Sequence, residues 1–271
     1  RAPPRRARAL RLRQGMRRLL VASLLPSSVI AASFSPARSN APQPRSLPRR
    51  LGHFFSSMLE DSRIDYSTLK GRPRSLGFEA GGWAMKGEVP VKSEDGYEVA
   101  TFAGGCFWGT ELHFQRLPGV VATCVGYTQG KPSGYGGVQP TYKEVCSGRT
   151  AHTEAVLVLF KPSEVSFAAL CEKLMSTIDP TLLNQVGRDY GTQYRHGIYP
   201  HSPEQMEAAR ACVARVQAAL PPGKRCHTEV VEAQVFWPAE EMHQQYLQKG
   251  GRLGSPQSAS KGCTDSVRCY G

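Results

Sequence analysis

The sequence predicts an α+β domain of split-βαβ (ferredoxin-like) type, a mixed sheet with flanking helices, over roughly residues 94–250. Three observations predict it. Periodic segments follow one another in the order β-α-β-β-α-β, with further helices added. Glycine and proline dipeptides punctuate them. The third is that this pattern occupies a body of the chain distinct from one atypical, unpatterned end.

That end is residues 1–59, with twelve arginines, no lysine and no acid. It accounts for the formal charge of +12, because 22 basic residues balance 22 acidic ones in the remainder. The positive field therefore belongs to a tail, and a nucleic-acid surface on the folded domain is not expected. An Arg-, Ser- and Pro-rich, acid-free leader reads as a targeting presequence without fold. Met16-Arg17-Arg18 precedes an apolar stretch from Leu19 to Phe34, which Pro26-Ser27-Ser28 interrupts and which is too short to span a membrane. Ala32-Ser33-Phe34-Ser35-Pro36 resembles the cleavage region of two-part plastid presequences. A plastid is the expected destination, with the mitochondrion or the secretory pathway as alternatives. Residues 60–93 read as linker, and Leu51 to Leu59 as one or two amphipathic turns.

Regular structure starts near Tyr97. Val99 to Phe102 reads as a strand, Gly104-Gly105 as a sharp turn, and Cys106 to Leu117 as a helix that Pro118-Gly119 ends. Val120 to Tyr127 is a second strand, and the Gly/Pro/Tyr-rich stretch Gln129 to Tyr142 is loop. Glu154 to Phe160 is a β-branched, apolar run and so a buried strand. A helix from about Pro162 to Thr177, a polar loop through Gln193 and a short strand at His196–Tyr199 follow. Ser202-Pro203-Glu204 supplies an N-cap and a first-turn proline for a helix to Leu220. Thr228 to Phe236 reads as a strand and Ala239 to Gln248 as a last helix. Residues 251–271 lack periodicity and are expected to form a mobile tail.

Eight cysteines are present, at 106, 124, 146, 171, 212, 226, 263 and 269. None forms a C-x-x-C pair and no histidine stands at finger spacing, so no metal site is expected. Cys124, Cys171 and Cys212 lie in apolar-periodic segments and read as small core residues. Cys106 differs. It stands between a strand and a helix, after two glycines and before Phe107-Trp108. At a helix N-terminus, free N–H groups favour a thiolate and are expected to lower the thiol pKa toward neutrality.

Gly104-Gly105-Cys106-Phe107-Trp108-Gly109-x-Glu111 resembles the signature of the methionine sulfoxide reductase A family. Pro140-Thr141-Tyr142-Lys143-Glu144-Val145-Cys146-Ser147-Gly148, His152-x-Glu154 and Asp189-x-Gly191-Thr192-Gln193-Tyr194-Arg195 continue the resemblance in order, over about residues 97–253. The Lys261-Gly262-Cys263 to Arg268-Cys269-Tyr270-Gly271 tail resembles that of plant and algal members. Two departures are visible: Ala151 where a glycine usually precedes His152, and Gln129 within the usual Gly-Tyr-x-Gly-Gly.

The resemblance implies thiol-dependent reduction of the S epimer of methionine sulfoxide, free or in oxidised proteins and peptides. Cys106 is the implied nucleophile and is left as a sulfenic acid when methionine departs. Glu154 is the implied acid, Tyr142 and Tyr194 hydroxyl donors to the sulfoxide oxygen, and Asp189 an orienting residue. Phe107 and Trp108 are expected to cradle the methyl group. Cys263 and Cys269 are expected to resolve and recycle the sulfenic acid through a disulfide that thioredoxin or a small dithiol reduces, in an order the residues leave open, with Cys269 favoured as the first resolving thiol and Cys263 as relay or spare. No bound cofactor, no nucleic acid, no membrane in the mature form and a monomeric state complete the expectation. Glu111 reads as a local pair or cap, and His113, His152, His201 and His243 as structural or solvated.

Other thiol chemistries fit less well. A cysteine phosphatase needs an arginine six residues after the nucleophile, where Leu112 stands. A thiol protease or acyltransferase needs a histidine base, and none is placed by motif beside Cys106. A thiol redox sensor or binding module using the same cysteines without turnover is the non-enzymatic alternative.

Overall fold

The structure is a computed structural model in which residues 75–131 and 139–269 are described. The chain divides into two units, Arg1–Gly52 and His53–Gly271, and every described residue belongs to the second. The expected presequence, the turns at Leu51 to Leu59, the middle of the Gln129 to Tyr142 loop and the last two residues lie outside the described residues.

In chain order the elements are α1 (Leu76–Lys86), β1 (Glu98–Gly104), α2 (Phe107–Gln115), β2 (Val120–Thr128), α3 (Tyr142–Cys146) and β3 (Thr153–Phe160). Then come α4 (Phe167–Met175), β4 (Gln185–Val186), β5 (Asp189–Tyr190), β6 (His196–Tyr199), α5 (Pro203–Ala219), β7 (Glu229–Val230) and β8 (Trp237–Pro238). The main sheet runs β7-β6-β1-β3-β2-β8. It is antiparallel except at β6–β7, hence mixed. Its inner order, β6-β1-β3-β2, is the split-βαβ arrangement that the sequence predicts.

β3 explains the layering. All eight of its residues are buried. Val156, Val158 and Phe160 join a core with Phe102, Phe114, Phe167 and Leu170 on the α2 and α4 side. Ala155, Leu157 and Leu159 join a second core with Leu76, Ala80, Val99 and Tyr199. Alternate side chains point to opposite faces, so a strand covered on both faces is apolar throughout.

The cover over the second face is α1, which lies inside the stretch expected to be linker. Ser75 caps it, its hydroxyl accepting from Phe78 N, and Leu76, Ala80, Gly81 and Ala84 are buried. Gly77, Gly81 and Gly82 weaken its intrinsic propensity, so contact with the sheet rather than pattern holds it. The helix expected from Pro162 begins at Phe167 instead, where Ser166 accepts from Ala169 N. The polar loop before Gln193 contains the β4–β5 hairpin.

From Thr228 to Phe236 only Glu229–Val230 pairs as a strand. Beyond it the chain stays fastened by other donors: Thr128 Oγ1 to the Gln234 and Val235 carbonyls, Gln129 Nε2 to Glu232 O, and Ala233 N to Pro200 O. The helix expected over Ala239 to Gln248 is a single 3₁₀ turn, Glu241–His243. Gln245 breaks it, at φ 50°, with its N–H donated to the buried Glu111 carboxylate at 2.9 Å.

After the short 3₁₀ turn Gly251–Leu253 the tail has no regular element, as its composition predicts. Its course along α2 is set by side chains. Arg116, only 5 % exposed, donates to Ser258 O at 2.8 Å and to Asp265 O at 2.5 Å. Gly262 N donates back to Arg116 O at 2.8 Å, and Lys261 Nζ reaches Gln115 O and Val120 O, each at 2.6 Å. The donors to Gln115 O and Arg116 O satisfy carbonyls that the C-terminus of α2 leaves open.

Candidate active site

Cys106 is the N-cap of α2, the residue that follows the turn out of β1. Gly105 makes that turn at φ 83°, and a side chain there would collide with Val186 of β4. The glycine is required both by its left-handed backbone and by the close approach of the hairpin.

The register of β1 on β3, with Phe102 opposite Val156, brings the start of β3 beside the end of β1. Glu154 stands there, opposite Tyr127 across the β2–β3 pair. It is 2 % exposed, and its Oε2 accepts from Phe107 N at 3.0 Å. Burial pushes its carboxyl up to about 8, the Phe107 N–H pulls the other way, and Asp189 adds to the rise. Glu154 therefore holds a proton at neutral pH, and burial is the cause.

Four other side chains fall in the same electrostatic neighbourhood. The charge of Glu154 acts on Cys106, Tyr142 and Tyr194, and that of Asp189 acts on Cys106, Glu154 and Tyr194. Tyr142 opens α3, whose capping box pairs Thr141 with Glu144. Tyr194 closes the 3₁₀ turn Thr192–Tyr194, and Asp189 lies on β5. Burial raises both tyrosine hydroxyls, so each stays a donor. The structure thus gathers Cys106, Glu154, Tyr142, Tyr194 and Asp189 from five separate elements.

One expectation is overturned. The Cys106 thiol is not lowered toward neutrality. Burial pushes it well above its ordinary value, and the charges of Glu154, Cys269 and Asp189 push the same way. The Trp108 backbone N–H opposes them without winning. A nine-residue helix offers its N-terminus to a sulfur that is 7 % exposed, and desolvation outweighs the dipole.

The aromatic wall also differs in detail. The Phe107 ring is 1 % exposed and sits in the core against Tyr127, with ring centroids 6.0 Å apart. Trp108 is half-buried and stacks on Tyr246 at 3.9 Å. Its Nε1 donates to His243 Nδ1 at 3.3 Å. His243, 4 % exposed, also meets the rings of Phe107 at 5.4 Å and Tyr142 at 4.7 Å. Desolvation lowers its pKa, so the ring is neutral, with its other nitrogen 3.9 Å from Glu240 Oε2. Glu240 in turn accepts from Tyr127 Oη at 2.8 Å and from Tyr142 N at 3.1 Å. Sequence reasoning read His243 as structural or solvated and missed its partners Glu240 and Tyr246. Their only signal was a carboxylate and a histidine three residues apart.

Glu111 is a structural acceptor rather than one half of an ion pair. It is 1 % exposed, takes hydrogen bonds from Thr123 Oγ1 at 3.0 Å and from Gln245 N, and is raised by burial to about 7. Cys146 lies beside Tyr142, hydrogen-bonded to it, and burial raises its thiol to about 11.

The two tail cysteines take different places. A methyl group built on Gly109 would lie 2.6 Å from Cys269 Sγ and 3.8 Å from Val267 Cγ1. Cys269 thus rests on α2 three residues from Cys106, a spacing that shares one helical face. Cys263 follows Gly262, which is bonded to Arg116, about 10 Å farther along the helix at 1.5 Å per residue.

Comparison with known proteins gives a consistent picture. Residues 98–266 match the family model described as peptide methionine sulfoxide reductase. Peptide methionine sulfoxide reductase A4, chloroplastic, of Arabidopsis thaliana is 41% identical over 244 residues, covering 90% of this chain and 91% of that protein. Reductase A1 of the same plant is 48% identical over 176 residues, covering 65% and 84%. Among solved structures, reduced Mxr1 of Saccharomyces cerevisiae is 31% identical with a TM-score of 0.55, covering 59% of this chain and 88% of that one. Methionine sulfoxide reductase A of Corynebacterium diphtheriae is 33% identical with a TM-score of 0.53, covering 69% and 90%.

Proposed function

Because the chain belongs to the peptide methionine sulfoxide reductase family, and so to the thiol oxidoreductases, we propose that it reduces the S epimer of methionine sulfoxide, free or in proteins, with Cys106 as nucleophile. The observation that carries this reading is the buried, protonated Glu154, hydrogen-bonded to the N–H of the residue after Cys106.

Cys106 Sγ attacks the sulfoxide sulfur while Glu154 gives its proton to the oxygen, with Tyr142 and Tyr194 donating to the same oxygen. The S–O bond breaks, the oxygen passes to Cys106 as a sulfenic acid, and methionine leaves. The thiol proton replaces the one Glu154 gave. A raised resting thiol suits this order, because proton donation to the oxygen makes the sulfur electrophilic as the thiol gives up its own proton. Cys269 then condenses with the sulfenic acid, forming a disulfide and releasing water. Thioredoxin, through a dithiol that becomes a disulfide, restores both thiols, with Cys263 as relay.

The pocket favours one epimer because methyl and oxygen have different walls. Trp108 and Tyr246 offer aromatic surface to the methyl group, and Glu154 and the two tyrosines face the oxygen. Exchanging the groups sets a polar oxygen on the aromatic wall. Methionine formation from separated S and R sulfoxides of one peptide tests this: turnover confined to S is expected, and equal rates refute it. A plastid location is supported by the acid-free, arginine-rich leader and by the chloroplastic relative aligned over 90% of this chain. N-terminal sequencing of the mature protein from isolated plastids checks that reading.

A further inference from the structure

The tail segment 254–269 contains no helix or strand, yet it follows one path along α2. It is fixed at points that lie far apart in sequence. At the C-terminal end of α2 the Arg116 guanidinium holds the Ser258 and Asp265 carbonyls together. Next to the last cysteine, Gln257, 6 % exposed, makes a reciprocal pair with the Arg268 backbone, donating to its carbonyl at 2.7 Å and accepting from its N–H at 3.0 Å. Beyond it Cys269 settles where Gly109 has no side chain.

Any residue larger than glycine at 109 would occupy the place of the Cys269 sulfur. Among the described residues beyond α2's own backbone and the chain neighbours of Gly109, the other atom near that position is Val267 Cγ1, at ordinary contact distance. Gly109 has a helical backbone with a negative φ, so conformational freedom does not explain a glycine there. Glycine in a helix interior instead costs about 1 kcal/mol relative to alanine. Among the described residues, the atom that fills the space it leaves is the Cys269 sulfur.

We propose that Gly109 and Arg116 are positioning residues for the resolving step, Gly109 as the seat of Cys269 and Arg116 as the clamp that aligns the tail on α2. The inference rests on the reading of Cys269 as the first resolving thiol. The tail is laid down before oxidation, with Cys269 one helical turn from Cys106, so resolution needs no search by a free chain. Closing a long flexible loop for each cycle would cost entropy that this arrangement has already met. Cys263, at the Arg116 end, is held out of reach of Cys106 and left for exchange with an external dithiol.

The test is a rapid-quench single turnover with a peptide S-sulfoxide, comparing wild type, Gly109→Ala and Arg116→Lys. Methionine formed and the Cys106–Cys269 disulfide, identified by mass, are read in each sample. Gly109→Ala raises helix propensity and so keeps the fold, and Arg116→Lys keeps the charge but loses the longer, planar fork that donates from Nε to Ser258 O and from Nη1 to Asp265 O. Methionine formation within twofold of wild type is expected in both variants. Disulfide formation should slow at least tenfold, with sulfenic acid accumulating and trapped by dimedone. Thioredoxin-supported turnover should fall while dithiothreitol-supported turnover holds.

Disulfide formation at the wild-type rate overturns the assignment of whichever residue was changed. So does a parallel fall of both steps, which would mark a structural or catalytic role. The wild type separates this inference from its premise: absence of methionine refutes the reductase reading, and a disulfide to another cysteine refutes Cys269 as resolver.

Discussion

Glu154 Oε2 accepts from the backbone N–H of Phe107 at 3.0 Å, so the carboxyl is tied to the residue that follows the nucleophile. One hydrogen bond is too little to keep a buried carboxylate charged, and the group rests near 8. The carboxyl and the thiol are both protonated at neutral pH, and in the proposed reaction Glu154 gives its proton to the sulfoxide oxygen and the thiol proton replaces it.

Glu154→Gln should lower the single-turnover rate of methionine formation by roughly 10²–10⁴-fold, the usual worth of a positioned general acid. In the unaltered protein that rate should fall as pH rises through about 8, where the acid loses its proton. A flat profile from pH 6 to 9.5 in rapid-quench experiments would reject Glu154 as the acid.

Stability should carry the same signature. The folded pKa is raised above the unfolded value, so the folded state binds the extra proton and stability falls as pH rises between the two. Glu111, at about 7, and Glu154, at about 8, both act in this direction. Each contributes up to ~1.4 kcal/mol per pH unit within its window. Between pH 7 and 8 Glu154 dominates, so Glu154→Gln should flatten the decline there and leave the Glu111 part below it. Urea midpoints measured across pH 5–9 check this.

Cys106 should behave as a protonated thiol in the resting enzyme. With burial, above all, holding its pKa up, alkylation by iodoacetamide should stay slow through pH 8. A free cysteine, with pKa about 8.5, is already partly ionised there. An alkylation step centred below pH 8, followed by mass on Cys106, would restore the thiolate expected from the helix N-terminus.

His243 should matter for binding more than for chemistry. His243→Phe keeps a ring between Phe107 and Tyr142 but removes the acceptor for Trp108 Nε1. The loss of a partly buried hydrogen bond, about 1 kcal/mol, should raise KM for the sulfoxide by roughly fivefold with a smaller change in single-turnover rate. Stopped-flow with separate titration of substrate distinguishes the two effects.

Gln129 and Ala151, the two departures from the family pattern, both adopt positive φ, 58° and 56°. Arg195 holds the Gln129 carbonyl at 3.0 Å and the Ala151 carbonyl at 3.1 Å, with Glu229 on its other nitrogen at 2.8 Å. The fold therefore enforces a backbone that these side chains resist. Ala151→Gly should stabilise by about 1 kcal/mol, a rise of roughly 2–4 °C in Tm, and Gln129→Gly by less, because it also removes the Nε2 donor to Glu232 O. Arg195→Met should lower Tm, because it leaves the carbonyls without their shared donor. Differential scanning calorimetry measures all three.

What the sequence made legible were the features that carry their own local signal. β3 is an unbroken apolar run, α5 has Ser202 and Pro203 at its start, and the cysteine motif stands in a strand–turn–helix context. What stayed hidden depends on distant partners. α1 contains three glycines and is held by the sheet. The turn at Gln245 exists because Glu111 takes its N–H. The raised thiol of Cys106 follows from burial in the fold and from Glu154, Asp189 and Cys269, all more than 40 residues away, which no reading of residues 104–109 could weigh against the helix dipole. The seat of Cys269 on Gly109 has the same character: a glycine in the motif and a cysteine in the tail meet only in three dimensions.

The most direct measurement of the central claim is a single turnover of the Cys263→Ser/Cys269→Ser variant with a peptide carrying S-methionine sulfoxide and no reductant. One equivalent of methionine should form per enzyme, and mass spectrometry should find a single oxygen, trapped by dimedone, on Cys106. No methionine, or an oxygen on another cysteine with Cys106 still reduced, would contradict the account.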